Sequence, residues 1–465
     1  MISESEERDP DVDSDESEND ELTPDYLLAL RLREALAAFS ARQTEILRLA
    51  EFMEERSTEI DNATERAKEI ISAQIGDINE DVVDRLVQVF TTLTDSDLGE
   101  DDLSPEDRQS AIVRAFADVT ASLPDELTAP YLEGALRAIQ APPGVDLLRS
   151  SLLVTLVGEL EMLVNVIARA AVERQPSSLD ESGRQFTWAE ISAYESLDDL
   201  RDHVVDRAIE EVFRGSLTDW MEFFTKRFKM APIKAAQSFS AQESIQRRHC
   251  IVHNAGMVSS LYLERLRGNG LDLEVGDDLE VTPEYLRQAA DTLYLVAYSL
   301  CWAVGFKLIR EDDAKEELTS MLANRVYYLL QDRRFSLVRQ IGQEVPYDKI
   351  DGLASFVIKV NFWLAYKLDG KFEKIRRDVE MLDVTTRSRQ FRLAKLALLG
   401  QDEEAYDLAQ AMIRDEELRP EFLFTWPLLA GAREYARKKS EASAVDENTG
   451  DQLESEVTNG EDAPS

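Results

Sequence analysis

The apolar residues of this chain recur mainly at the spacing of an α-helix. Between Asp25 and Ile75 no glycine or proline interrupts the chain, and apolar side chains return every three or four positions. This period places them on one face of a helix. Runs that alternate apolar and polar residues between turns, as strands do, are nearly absent. The pattern therefore predicts an all-α fold.

Several helix starts can be placed from the sequence. A Ser or Thr followed by proline and an acid occurs at Thr23, Ser104 and Thr282. In this arrangement the hydroxyl caps the helix, proline takes the first helical position and the acid faces the positive end of the helix dipole. Thr187 and Glu190 have the spacing of a capping box. We therefore predict a helix start at each of these places.

The first predicted helix carries an apolar stripe whose partner the sequence does not identify. Its residues recur at alternating spacings of four and three, and they are Leu32, Leu36, Phe39, Gln43, Ile46, Ala50 and Met53. This spacing permits a coiled-coil seam. Packing against other helices of the same chain would bury the same stripe. Both arrangements are compatible with the pattern.

Helix breaks and changes in composition divide the chain into five parts. Ala141-Pro-Pro-Gly144 interrupts the helical pattern and marks one boundary. Both ends are so acidic that we expect them to be disordered. The predicted parts are an acidic tail at 1–22, an N-terminal helical or coiled region at 23–143, a second helical domain at 146–310, helical hairpins at 311–437 and another acidic tail at 441–465.

The segment 311–437 shows a degenerate repeat. Its turn sequences align at Arg333, Gly370 and Gly400, which are 37 and 30 positions apart. The average is close to the roughly 34-residue period of tetratricopeptide repeats. We therefore predict hairpins similar to those repeats, with a surface for a protein partner. A helical bundle without repeat order is the alternative.

The composition adds a strong charge imbalance. The chain has 92 acidic and 52 basic residues, a formal net charge of −40, and no lysine between Lys68 and Lys226. An acidic surface with few lysines is typical of proteins from a salt-rich cytoplasm, where ions screen the self-repulsion. An ordinary acidic protein is the alternative to this halophilic interpretation.

The sequence predicts neither export nor membrane insertion. The N-terminal residues lack the basic and apolar regions of a secretory signal. The longest uncharged run, 292–306, is shorter than the roughly 20 residues of a membrane-spanning helix, so it predicts a buried core helix. Cys250 and Cys301 are too few for a disulfide framework. We therefore expect a cytoplasmic protein.

One stretch of the chain departs from the general acidity. Residues 223–263 contain a single acid, Glu243, where the chain average predicts about eight. A locally positive region in so acidic a protein predicts an anionic ligand. Ion pairing with acidic helices of the same chain is the alternative. The cations of this stretch are Lys226, Arg227, Lys229, Lys234, Arg247 and Arg248.

Within this stretch, RRHCIVHNAG at 247–256 holds two of the three histidines. His249 and His253 share one helix face, at the spacing of a two-histidine zinc arm. A metal site needs a third ligand, and the remaining histidine, His203, belongs to a different predicted helix. We therefore expect neither a metal nor a cofactor. A solvated helix face and a recognition motif are the other interpretations.

The pattern around Arg248 and His253 resembles the motif of a known family. An R-x4-H pair is extended to R-[polar]-x-I-V-H-N-x-G. This is similar to the motif of the HEPN superfamily of α-helical ribonuclease domains, specifically of its RiboL-PSP-HEPN branch. The resemblance covers 146–310, and His249 stands where that superfamily more often has Asn or Asp.

The resemblance implies a metal-independent endoribonuclease that cleaves single-stranded RNA by attack of its own 2′-hydroxyl. His253 would transfer a proton at that hydroxyl or at the leaving oxygen. Arg248 would hold the scissile phosphate, and His249 would orient His253 or the substrate. Further RNA contacts would come from Arg247, Asn254, Lys226, Arg227, Lys229 and Lys234.

The resemblance also implies a homodimer, because HEPN domains usually pair so that two motifs face one cleft. It places the chain among proteins of abortive infection or toxin–antitoxin defence. The alternative function is a non-catalytic helical scaffold, or an RNA-binding protein, that uses this domain for dimerisation.

Overall fold

The computed structural model describes residues 22–94, 105–182, 185–347, 353–384 and 388–441. These residues are mostly helical, and the single β pairing among them is an isolated bridge between Met257 and Asp278. The prediction of an all-α fold is confirmed. The two predicted acidic tails fall almost wholly outside the described residues.

The first part of the described chain contains helices that vary from a single turn to 32 residues. In chain order they are α1 (Pro24–Glu55), α2 (Ser57–Ile60), α3 (Ala63–Ile75), α4 (Glu80–Thr94), α5 (Pro105–Thr120), α6 (Asp125–Gln140), α7 (Gly144–Arg174), α8 (Trp188–Ile191), α9 (Leu197–Phe213), α10 (Leu217–Phe228), α11 (Lys234–Gln237), α12 (Phe239–His253), α13 (Ser260–Arg265) and α14 (Pro283–Leu308).

Shorter helices follow in the C-terminal part. They are α15 (Asp312–Gln331), α16 (Phe335–Glu344), α17 (Leu353–Leu368), α18 (Arg376–Glu380), α19 (Arg389–Leu399), α20 (Asp402–Arg414), α21 (Pro420–Thr425) and α22 (430–441). Short 3-10 helices lie at Pro176–Ser182, Phe372–Lys374 and Pro427–Leu429.

The predicted helix starts agree with the structure wherever it describes them. Thr23 and Thr282 cap α1 and α14, and each side-chain oxygen accepts a backbone N–H of the first turn. Thr187 and Glu190 form the predicted capping box at the start of α8. Ser104 lies outside the described residues, and α5 begins at the next position.

The centre of the molecule is a bundle of four long helices, α1, α7, α14 and α15. Helix α1 packs along α7 and also contacts α14 and α15. Its apolar stripe is buried there, at Leu32, Leu36, Phe39, Ile46 and Met53. Packing within the chain therefore accounts for the stripe, and a coiled coil is not needed to bury it.

Two main hydrophobic cores organise the described chain, and a third, minor one lies around Cys250, Val258 and Tyr262. In the larger core, α12 packs on α7 and α14, α16 packs on α14 and α15, and α17 packs on α15 and α16. The smaller core lies between α3, α4 and α6, around Ile71, Leu86 and Tyr131. Within the predicted region 23–143, α1 therefore shares the larger core, whereas α3, α4 and α6 have their own.

Among the helices that the structure describes, α7 and α14 are long and apolar enough to cross a membrane. In the structure, 44% of the most apolar window of α7 and 72% of that of α14 are buried among other helices. Helix α14 contains the uncharged run 292–306, and its Tyr294, Tyr298 and Cys301 are buried. The packing of α14 agrees with the prediction of a core helix.

Asp25, in the first turn of α1, is a carboxylate only 2% exposed. One oxygen accepts the guanidinium of Arg174 at 2.5 Å, and the other accepts the backbone N–H groups of Arg310 and Glu311 at 2.5 and 2.9 Å. Burial raises the pKa of Asp25, but these hydrogen bonds and the Arg174 charge outweigh it, so the pKa lies below its ordinary value. One side chain thus joins the starts of α1 and α15 to the end of α7.

A second buried polar group, Gln43, fixes the middle of α1. Its amide nitrogen donates to the carbonyl of Ala290 in α14 at 2.8 Å, and its amide oxygen accepts Arg334 at 2.7 Å. Arg334 also pairs with Asp291. Because the hydrogen bonds of a buried amide are costly to break, Gln43 specifies how α1 is aligned along α14.

Ion pairs along the surface of the bundle reinforce this alignment, and their cation is arginine. Arg149 forms two hydrogen bonds to the two carboxylate oxygens of Glu54, which a lysine cannot do, and the other pairs are made through a single guanidinium nitrogen. Exposed pairs of this kind contribute little stability each. Their main effect is therefore on the register of α1 against its neighbours. The pairs are Arg31–Glu173, Arg33–Glu317, Arg42–Glu159 and Arg149–Glu54.

Four turns in the C-terminal part share one geometry. The backbone is left-handed at Arg333, Gly370, Gly400 and Glu416, with φ of 59°, 67°, 75° and 60°. At each turn the following N–H reaches the carbonyl five residues back, which is the Schellman arrangement. The three turns aligned in the sequence are therefore equivalent. Because the intervening helices range from 5 to 16 residues, similarity to tetratricopeptide repeats stays a prediction.

Replacing Asp25 with Asn should lower the free energy of unfolding by about 2–3 kcal/mol at neutral pH, because charge-assisted hydrogen bonds are lost. The folded pKa is lowered, so the carboxylate stabilises fully above its ordinary value of about 4 and loses this effect as pH falls through the folded pKa. Urea titrations of both proteins should therefore converge in acid. The exposed Asp407 on α20 provides a control, Asp407→Asn, and an equal loss in that variant would contradict the assignment.

Arg333→Gly should raise the free energy of unfolding by about 0.5–1 kcal/mol. A left-handed backbone costs a residue with a Cβ roughly 1–2 kcal/mol, and the freedom of glycine in the unfolded chain offsets part of the gain. Arg333→Ala keeps the Cβ and is the matched control, with little expected gain. Gly400→Ala should show the opposite sign, a loss of about 1 kcal/mol. Denaturant midpoints measure all three, and a loss in Arg333→Gly would refute the argument.

Candidate functional site

Helix α12 carries the RRHCIVHNAG motif at its C-terminal end. Ser238 caps its start by accepting the N–H of Ala241 at 3.2 Å, and His253 is its last residue. The helix packs on α7 and α14, and Cys250 is buried. His253 and the preceding Val252 are exposed. The motif therefore presents its last histidine at an accessible helix end.

The residues after His253 form a tight turn that glycine makes possible. Ala255 and Gly256 are both left-handed, with φ of 51° and 82°, a conformation that glycine adopts without strain. The carbonyl of Gly256 accepts the N–H of Leu279 at 2.9 Å. The side chain of Asn254 donates to the carbonyl of Met257 at 2.7 Å. Asn254, a predicted RNA contact, is therefore engaged in shaping this turn.

Arg247 belongs to a buried polar network. Its guanidinium binds the carboxylate of Glu243 at 2.7 Å and lies 4.0 Å from the ring centroid of Tyr285. The same carboxylate accepts the hydroxyls of Tyr262 and Tyr285 at 2.8 and 2.5 Å. Burial, together with the Glu243 charge, raises the pKa of both tyrosines, so they remain neutral donors. These contacts give Arg247 a structural role, because they anchor α13 and α14 on α12.

Arg248 faces a different neighbour, Glu161 of α7. A terminal guanidinium nitrogen lies 3.7 Å from a Glu161 carboxylate oxygen, and the arginine side chain is 28% exposed. The Nε of Arg248 is buried and has no hydrogen-bond partner in the structure. Because the two terminal nitrogens of arginine carry four N–H donors, a loose pair with one carboxylate leaves terminal donors for a ligand.

The two motif histidines are in contact. The ring centroids of His249 and His253 are 4.6 Å apart, and His249 is the more buried of the two. Burial lowers the pKa of His249, and the nearby positive charges of His253, Arg265 and Arg248 lower it further. His249 is therefore held neutral at neutral pH, and a neutral imidazole can accept a proton.

Two residues of this site were missed from the sequence. Arg265, the last residue of α13, donates to the side chain of Gln246 at 3.1 Å and acts electrostatically on His249. No motif spacing connects it to His253. Glu161 gives a weak signal, as one of two acids, with Glu159, in the middle of the largely apolar α7, but nothing in the sequence pairs it with Arg248.

The other predicted RNA contacts do not gather around His253. Lys226 pairs with Glu222, one turn earlier on α10. Arg227 donates to the carbonyl of Ser178 at 2.9 Å. Lys229 and Lys234 precede α12 and line a separate cavity. Of the predicted set, the structure places His249 and His253 in ring contact, and Arg248 lies close enough to His249 to act on its charge, as does Arg265.

The arrangement lacks the ligands of a metal site. Among the residues that the structure describes, no three His, Cys, Asp or Glu side chains lie close enough together to hold a metal ion. His203 lies on α9, beside the ring of Tyr194. The chemistry open to the cluster is therefore recognition of an anion by arginine and transfer of protons by imidazole.

Comparisons with known proteins found no relative of this chain. No family model matches the chain, and no curated protein or solved structure matches it either. The resemblance to the HEPN motif therefore depends on the motif residues themselves.

The pKa of His249 should rise toward its ordinary value in a His253→Gln variant, because one of the neighbouring positive charges is removed. NMR titration of the imidazole C–H signals measures this change directly. The signal of His203 is the internal control, because it should not respond to the substitution. A His249 titration that is identical in wild type and variant would show that the two rings are not coupled.

Proposed function

We propose that the chain is a metal-independent endoribonuclease with an HEPN-like centre, acting on single-stranded RNA. The main support for the proposal is the set of side chains at the exposed C-terminal end of α12. An arginine with unused donors, Arg248, lies beside a pair of histidines of which one is held neutral. These are the groups that phosphodiester cleavage by the 2′-hydroxyl requires.

In the proposed reaction the 2′-oxygen of RNA forms a bond to phosphorus and the bond to the 5′-oxygen breaks. One proton leaves the 2′-hydroxyl, and one is delivered to the departing 5′-oxygen. Arg248 binds the non-bridging oxygens, on which negative charge increases in the transition state. His253 makes one of the proton transfers, and His249 holds its ring in place. The products are a 2′,3′-cyclic phosphate and a 5′-hydroxyl.

We also propose that two chains share this site. A single exposed histidine supplies one of the two proton transfers, and a second copy of His253 across a twofold axis supplies the other. Exposed apolar side chains near the motif support this proposal, since such side chains favour association. They are Val252, Met257 and Leu261.

The second candidate function is a non-catalytic scaffold or RNA-binding protein. The contact of Glu161 with Arg248 favours it, because a carboxylate next to the arginine competes with phosphate. In either case the C-terminal hairpins are a surface for a protein partner, and defence against infection is the role that the motif resemblance suggests. Retention of RNA without cleavage would identify the scaffold.

His253→Ala should reduce cleavage of single-stranded RNA by at least about 100-fold, because proton transfer contributes this much or more. Arg248→Lys should also lose cleavage activity, because a lysine ammonium cannot form the two parallel hydrogen bonds that a guanidinium makes to a phosphate. EDTA should leave cleavage unchanged. His203→Ala is the matched control and should retain activity. The assay follows 2′,3′-cyclic phosphate ends at high salt, and full activity in His253→Ala would refute the assignment.

Mixed dimers test the shared site. In this arrangement the cleft needs His253 from both chains, so a dimer of one wild-type and one His253→Ala subunit should be as inactive as the variant homodimer. Cleavage in exchanged mixtures should therefore fall as the square of the wild-type fraction, whereas independent sites would give a fall in proportion to that fraction, and sedimentation confirms the dimer. A protein that cleaves RNA while it sediments as a monomer would disprove this arrangement.

A further inference from the structure

A cavity of about 610 Å³ opens at the far end of α12 from the motif. Its walls come from the loop at 229–233 with the start of α11, from the second half of α14 and from the end of α16. Helix α16 belongs to the predicted C-terminal hairpins, and α14 to the central bundle. The cavity therefore lies where these two parts meet.

The cavity is well separated from the candidate active site. Tyr285, which contacts Arg247, and Ala303, which lines the cavity, lie on the same helix, α14. Eighteen residues of helix span about 27 Å. A ligand in the cavity would therefore not be the phosphate that Arg248 holds.

One side of the cavity is apolar and partly aromatic. Met230, Ile233 and Val345 contribute aliphatic surface. Trp302 and Phe306, one turn apart on α14, have ring centroids 4.7 Å apart. Flat aromatic walls of this kind favour a ligand with a flat or apolar body.

The rim of the cavity is positive. Lys229, Lys234 and Lys307 line it, three of the fourteen lysines in a chain of net charge −40. None of these three forms an ion pair within the described ranges, although arginines at the helix interfaces are paired. The acid in the lining is Glu344, and its carboxylate accepts the N–H of Ala235 at 3.0 Å. The three lysines and the one glutamate give the lining a formal net charge of about +2.

A buried hydroxyl in the lining has no partner. Ser299 is 5% exposed, lines the cavity, and its Oγ forms no hydrogen bond in the structure. A serine in a helix usually donates to the carbonyl four residues back, and a buried polar atom without a partner costs free energy. A polar ligand atom would satisfy Ser299.

We propose that this cavity binds a small organic phosphate with an aromatic body, of about the size of a mononucleotide. A phosphate monoester carries a charge near −2, which matches the lining, whereas a carboxylate would leave one positive charge unmatched. The lysines bind the phosphate, Trp302 and Phe306 contact the aromatic body, and Ser299 bonds a polar atom of the ligand. The volume lies in the usual range for small-molecule sites, about 300–1,000 Å³.

The experiment is a calorimetric titration of the full chain with adenosine 5′-monophosphate and with 1-naphthyl phosphate. The reference probes are adenosine, which has the aromatic body without the phosphate, and inorganic phosphate, which lacks the aromatic body. At least one aromatic phosphate should bind more than about tenfold tighter than either half. Equal binding of both aromatic phosphates identifies a general aromatic-phosphate site, and preference for the nucleotide identifies a nucleotide site.

Variants assign the binding to this cavity. The triple change Lys229→Gln, Lys234→Gln and Lys307→Gln should weaken binding by more than about tenfold, and Ser299→Ala should weaken it by a smaller factor. The matched control replaces three lysines that already have ion-pair partners, Lys226, Lys315 and Lys371, with the same change in net charge. Its affinity should stay close to that of wild type. Thermal unfolding checks that every variant is folded.

Three outcomes would overturn the proposal. The first is that neither aromatic phosphate binds at millimolar concentration. The second is that the two triple variants lose affinity for these phosphates equally. The third is that the cavity variant loses binding of single-stranded RNA while its affinity for the small phosphates is unchanged. The calorimetric affinity for the aromatic phosphates does not depend on RNA cleavage, so these results test the cavity independently of the ribonuclease assignment.

Discussion

The fold depends on one buried carboxylate. Asp25 binds the end of α7 and the backbone at the start of α15 with one side chain, so the first helix is held among helices that follow it far along the chain. Gln43 makes a second such connection to α14. Because α12 packs on α7 and α14, the alignment of these helices also sets where Arg248 meets Glu161. The position of the candidate site therefore depends on polar contacts well away from it.

Local features of this fold could be predicted from the sequence, and contacts between distant helices could not. Helix caps such as Thr23 and Thr282 are determined by a few neighbouring residues, so the sequence identifies them directly. The turn at Arg333 was found by alignment although it lacks glycine, because flanking residues keep the pattern. The partner of the α1 stripe cannot be identified from the sequence, since periodicity shows that a helix face is buried but does not show which helices cover it.

The same distinction applies to the site. Arg247 and Arg248 are adjacent in the chain, yet they point about 100° apart on the helix, one into the Glu243 network and the other toward Glu161. Their order in the sequence carries no information about which faces the core. Arg265 was missed because it comes from another helix. The low acid content of 223–263 was informative, but its lysines divide between the surface of α10 and the cavity at the other end of α12.

The path of the chain has a consequence for its synthesis. Asp25 is separated from its partners Arg310 and Glu311 by 285 and 286 positions. At ribosomal rates of about 5–20 residues per second, the N-terminal helix waits roughly 15–60 s before these partners exist. During that interval its apolar stripe has no complete surface to pack against, and contacts of such long range form slowly. Helix α1 is therefore made well before the partners that hold it and is among the last helices to reach its final place, so its apolar stripe stays exposed during translation.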